Sequence, residues 1–94
     1  MKIGICLPTE TEAMGGNTAN GTEVLRLARL AEDAGFDSAW VVDHFCYSAA
    51  AEMEALGATA PPDLVGKIYG AWECLTMCAA LARETRHMEI GTLV

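Results

Sequence analysis

Apolar positions along the chain fall into three short runs and two longer periodic ones. The short runs are Lys2 to Leu7, closed by Pro8; Ser38 to Val42, closed by Asp43 and His44; and His87 to Val94. The second and third place apolar side chains at neighbouring positions, the pattern of strands buried on both faces in a parallel sheet. Between the first two, Val24, Leu27, Ala28, Ala31 and Ala34 recur at helical spacing, opposite Arg26, Arg29, Glu32 and Asp33. Thr22 is placed to cap that helix, with Glu23 at the positive end of its dipole and Gly35 as a left-handed stop. A second helix is predicted from about Trp72 to Glu84, with Leu75, Cys78, Ala79 and Ala82 on its inner face. Glu73 falls in its first turn and Arg83 and Arg86 near its end, as the dipole prefers.

The order β-α-β-α-β implies a parallel sheet with right-handed crossovers. The segment 45–70 interrupts it as an insertion after the second strand. Ala49 to Leu56 reads as a short helix, followed by an irregular loop containing Gly57 and Pro61-Pro62. A connection this long is uncommon unless it is functional or disordered, and it is expected to cover the mouth of a site and shape substrate choice.

Both an open doubly wound sheet and a closed barrel begin this way. A dinucleotide-binding sheet carries a Gly-x-Gly-x-x-Gly turn directly after its first strand. Here Leu7-Pro8-Thr9-Glu10 follows, and Gly15, Gly16 and Gly21 come later, around Asn17-Thr18-Ala19-Asn20, without forming that loop. Barrels place their phosphate site late, so the pattern fits a barrel. In either architecture ligands bind at the carboxyl ends of the strands, which selects Pro8-Thr9, Asp43-His44 and Leu93-Val94. His44 can exchange a proton near neutral pH, and Asp43 can hold its tautomer or meet the ligand. The plainer alternative is a turn-capping aspartate beside a solvated histidine.

Composition narrows the picture further. The chain has 94 residues, so one domain at most, about a third of the ~250 residues of an eight-stranded barrel. Hydrophobic residues make up 52%, ample for a core, and the net charge of −7 argues against nucleic acid or an anionic membrane surface as partner. No signal peptide and no apolar run of membrane-spanning length is visible, so the four scattered cysteines read as reduced thiols of a cytoplasmic protein. Cys74 and Cys78 share a helix face, but with His44 or His87 they lack the spacing of a closed zinc site; no metal is expected. Trp40 and Trp72 read as core or rim packing. Glu73 reads as a first-turn carboxylate, with a buried partnership to a strand-end group as the alternative.

The run Leu27 to Phe45, LARLAEDAGFDSAWVVDHF, resembles the first helix and second strand of the luciferase-like monooxygenase family. Trp72 to Thr76, Ala79 to Arg86 and Ile90 to Val94 resemble its second helix and third strand, and Lys2-Ile3-Gly4-Ile5 its start. The resemblance implies that residues 1–94 are the N-terminal portion of a (β/α)8 TIM barrel that uses FMN or the deazaflavin coenzyme F420 for hydride transfer or oxygen insertion. It implies that Asp43 lies on the flavin side and that His44 is the catalytic proton donor or acceptor. Leu93 and Val94 would meet the cofactor through a non-proline cis peptide at the end of the third strand. The Asp-His-Phe triplet inclines it toward F420. The expected partners are a small-molecule substrate and, as an option, a second copy of the chain. With five strands lacking, the chain alone is expected to be an inactive piece of such an oxidoreductase. The rivals are a non-catalytic fragment that self-associates through exposed sheet edges, and a small open-sheet binding module.

Overall fold

The computed structural model describes residues 1–11 and 19–94; Gly15, Gly16, Asn17 and Thr18, part of the glycine-bearing stretch considered above, lie outside the described residues. The elements are β1 (Gly4–Cys6), α1 (Gly21–Asp33), β2 (Ser38–Val42), β3 (Cys46–Tyr47), α2 (Ala49–Ala55), β4 (Tyr69–Gly70), α3 (Cys74–Glu84) and β5 (Glu89–Leu93). β1, β2 and β5 form one sheet in the order β1-β2-β5, and both pairings are parallel. This is the expected β-α-β-α-β unit, with an additional two-stranded antiparallel pair, β3-β4, built inside the insertion.

Asn20, rather than Thr22, caps α1: its side chain accepts the Glu23 backbone N–H at 2.9 Å. A short side chain two residues earlier already satisfies that amide, so the helix begins sooner than Thr22 suggests. The far end closes as expected. Gly35 takes φ +91°, its N–H donates to the Glu32 carbonyl at 3.0 Å and the Phe36 N–H to that of Ala31 at 3.0 Å. These two bonds make a Schellman stop, for which the positive φ favours glycine.

The core lies between the sheet and the two longer helices. Val24, Ala28 and Ala31 of α1, Ala39 and Val41 of β2, and Cys74, Met77 and Leu81 of α3 form it. Three inner-face assignments on α3 change: Leu75, Ala79 and Ala82 are exposed, and Cys74, Met77 and Leu81 turn inward. Small and apolar residues surround nearly the whole of α3, so periodicity alone does not select a face; the i, i+3, i+7 stripe bearing the bulkier side chains does. At the C-cap of α1, Ala34 is exposed as well.

The sheet is covered on one side only. Ala39 and Val41 face the helices, whereas Trp40 is exposed on the opposite side, so β2 is not buried on both faces as its run of apolar residues suggests. The open face is flat because its neighbours lack side chains. A Cβ on Gly4 would stand 2.5 Å from Ser38 Oγ and 2.7 Å from Trp40 Nε1, and one on Gly91 would stand 2.5 Å from Trp40 Cζ3. The indole therefore lies across all three strands, with its N–H donating to Ser38 Oγ at 3.0 Å. Trp40 thus packs on the open face, neither in the core nor at the rim.

Two groups fix the strand registers at the amino edge. Asp37 donates its backbone N–H to the Ile3 carbonyl at 2.8 Å, accepts the Ile3 N–H on its carboxylate at 2.7 Å and accepts the Glu89 N–H on its carbonyl at 3.0 Å. Glu32, on the polar face by sequence pattern, is instead buried at 7% exposure. Its carboxylate accepts the backbone N–H groups of Arg86, His87 and Met88, each at 2.9 Å. The turn from α3 into β5 has three amides without carbonyl partners, and a carboxylate is the one side chain that can accept all of them.

Those amides, that of His87 foremost, hold the Glu32 carboxyl below the usual carboxylate range, against the opposing effect of burial. A depressed folded-state pKa contributes stability that is present above the unfolded value of about 4.3 and is lost as pH falls through the folded one. Thermal melts followed by circular dichroism are therefore expected to drop as pH is lowered from about 5 to about 2. Glu32→Gln should melt lower at neutral pH and show a shallower pH dependence; parallel curves for the two proteins would contradict the role.

Candidate functional site

The carboxyl ends of β1, β2 and β5 converge, and the strand-end residues meet there. Asp43 follows β2 directly, and its N–H donates to the Leu93 carbonyl at 3.0 Å, which seats the end of β5 beside it. Val94 is fully exposed beyond that point. The peptide bonds of the described residues are all trans, so the cis bond implied between Leu93 and Val94 is not formed.

His44 comes next, in a segment without regular structure of its own. Its Nε2 lies 4.0 Å from Glu10 Oε1, and its ring stands 5.1 Å from that of Tyr47, tilted by 35°. Tyr47 in turn stands 5.7 Å from Tyr69. Glu10 arrives because the chain leaving β1 pairs antiparallel with the chain entering α3. Glu10 bridges Ala71, the Trp72 N–H donates to the Thr9 carbonyl at 3.1 Å, and the Thr11 N–H donates to the Gly70 carbonyl at 3.1 Å.

Asp43, His44, Phe45, Ala71 and Glu73 line a cleft of about 310 Å³. Phe45 is almost wholly exposed at its lip. Glu73 is the N-cap of α3 rather than a first-turn residue: its carboxylate accepts the N–H of Leu75 at 3.1 Å and of Thr76 at 2.7 Å. Those bonds, with that to Thr76 first, hold its carboxyl below the ordinary range. It therefore stands as an anion on one wall. At the next residue, burial, reinforced by the nearby Asp43 carboxylate, pushes the Cys74 thiol up to about 11. Cys74 is thus a buried, protonated thiol on the Asp43 side of α3. Cys78 is half-buried and its thiol is also raised by burial. Among the described residues no three of His, Cys, Asp and Glu gather as a metal-holding group.

Thr9, singled out as a strand-end position, is fully buried, and its hydroxyl has no hydrogen-bond partner. A buried hydroxyl without a partner costs free energy, and such groups mark places where a ligand or solvent atom completes the structure. Among the described residues the cleft lining supplies an imidazole, two carboxylates and apolar walls, and no cation.

Sequence reasoning placed Asp43, His44, Leu93 and Thr9 at this edge and missed Glu10, Tyr47, Tyr69 and Ala71. The two tyrosines bound the insertion at either end, and only their antiparallel pairing shows that they form its neck. No helix among the described residues is long and apolar enough to cross a membrane.

A family described as luciferase-like monooxygenase matches residues 1–94. Neither the curated proteins nor the solved structures gave a match.

With its pKa near 11, Cys74 should stay unmodified when the native chain is treated with iodoacetamide at about pH 8, whereas exposed Cys46 is labelled. Mass spectrometry of the digested protein checks this, with Cys74 reacting only after denaturation. Labelling of native Cys74 at the rate of Cys46 would contradict its burial and raised pKa.

Proposed function

The chain belongs to the luciferase-like monooxygenase family, and from that premise we propose that it contributes the Asp43-His44 edge of a flavin-type oxidoreductase site. The observation that carries this reading is the meeting of Asp43, His44 and Leu93 at the carboxyl ends of three parallel strands. In parallel α/β folds that end of the sheet is where chemistry sits.

The bound cofactor would supply hydride or oxygen chemistry, and His44 and Asp43 would hold its ring end. His44, with one edge toward Glu10 and 43% of its side chain exposed, is placed to give or take a proton at the substrate. Asp43, whose N–H is held by the Leu93 carbonyl, would take the cofactor side. From the Asp-His-Phe triplet we take coenzyme F420 ahead of FMN, with a small organic molecule as substrate.

The sheet supports a wider architectural reading. Its helices lie on one face, and the other presents Trp40, Leu93 and two glycines to solvent. In a (β/α)8 barrel that second face lines the interior. We therefore read residues 1–94 as a β-α-β-α-β unit of such a barrel. The same uncovered face and the free edges of β1 and β5 favour self-association as a second reading for the isolated chain.

Titrating the purified chain with coenzyme F420 and with FMN, followed by fluorescence, tests the first reading. Saturable binding is expected, tighter for F420, and His44→Ala should weaken it by about tenfold, the loss of one hydrogen bond to a partly buried group. Binding unchanged in both His44→Ala and Asp43→Ala would overturn the assignment of this edge.

A further inference from the structure

His44 follows Asp43 in a stretch with neither helix nor strand, and nothing in its own segment restrains the ring. What restrains it comes from the insertion. Tyr47 and Tyr69 are opposed partners in the β3-β4 pair, though 22 residues apart in the chain. Tyr69 is buried at 9% exposure, and Tyr47 lies between it and the imidazole, so three rings follow one another at 5.1 and 5.7 Å with tilts of 35° and 33°. Offset and tilted aromatic contacts of this kind are attractive, and a ring backed by a second ring on a paired backbone loses little further freedom. The Nε2 edge of the imidazole faces Glu10, itself anchored by the bridge to Ala71 next to β4.

We propose that Tyr47 is a positioning residue for His44: the neck of the insertion, not the loop it carries, sets the orientation of the proton-exchanging imidazole. The inference rests on the reading of His44 given above and extends it to the insertion. Residues 48–68 are an excursion whose two ends are pinned at β3 and β4, so changes within the excursion leave His44 in place while unpairing of the neck releases it. The insertion thereby acts on proton transfer through Tyr47, at its paired neck.

Proton NMR of the 94-residue chain reads the ring directly. The chain has only two histidines. His87 lies at the opposite, amino edge, with Nδ1 3.6 Å from Glu32, and serves as the internal control. Tyr47→Leu should return the His44 ring protons toward their unfolded positions, Tyr47→Phe should keep them displaced, and His87 should be unmoved in both. His44 resonances unchanged in folded Tyr47→Leu would overturn the proposal. The unsubstituted chain gives a second reading that needs no variant: nuclear Overhauser contacts between the His44 and Tyr47 rings are expected, and their absence would overturn it too. Neither result depends on a cofactor. Failure of the F420 and FMN titrations would sink the flavin reading and leave the ring's placement standing.

Discussion

One carboxylate ties the two βα units together. Glu32 extends from the last turn of α1 and accepts three consecutive amides from the turn that leads into β5. Without an acceptor there, the buried Met88 amide would be unpaired, at a cost comparable to losing the hydrogen bond itself, and the part-buried amides of Arg86 and His87 would lose their partner too. Because Arg86, His87 and Met88 are held in this way, β5 starts at a defined place, and the Glu89 N–H meets the Asp37 carbonyl at 3.0 Å. From there the parallel register runs Ser38 with Glu89 through Val42 with Leu93. The Leu93 carbonyl consequently reaches the Asp43 N–H at the other end of the sheet. A bond at the amino edge thus bears on the geometry of the carboxyl edge, where the proposed site lies.

The open face obeys a related constraint. Trp40 can lie flat across three strands only because Gly4 and Gly91 flank it; a methyl group at either would collide with the indole or its neighbour. Glycine weakens a strand by itself, and its presence on both sides of one indole identifies close approach as its use here. The helix side is arranged differently. Val24, Val41 and Leu81 are fully buried, and α3 carries Cys74 inward to meet Asp43. The same packing that makes the core therefore reaches the site through a single thiol.

Much of this was legible in the sequence. The run from Ser38 to Val42, ended by Asp43 and His44, gave both a strand and the place where it stops. Gly35 gave the stop of α1, and the strand-end rule gave Asp43, His44, Leu93 and Thr9. What was not legible depends on partners far apart in sequence. Glu32 fits a polar helix face until the turn that needs its carboxylate folds over it. Leu75, Ala79 and Ala82 share helical spacing, yet Met77 and Leu81, with more side chain to bury, take the inner face. Tyr47 and Tyr69 sit at the ends of a segment without periodicity, and only their pairing across β3-β4 reveals a wall of the site. The implied cis bond at Leu93-Val94 is absent, because the structure meets the Asp43 N–H with a trans chain.

The central claim is that the carboxyl edge of this sheet receives the redox ring. Amide chemical-shift mapping of the isotope-labelled chain with added coenzyme F420 or FMN addresses it most directly. The account predicts perturbations clustered at Thr9 and Glu10, at Asp43 and His44, at Ala71 to Glu73 and at Leu93, with Lys2, Asp37 and Glu89 at the opposite edge undisturbed. Perturbations centred on that opposite edge, or none from either cofactor, would contradict it.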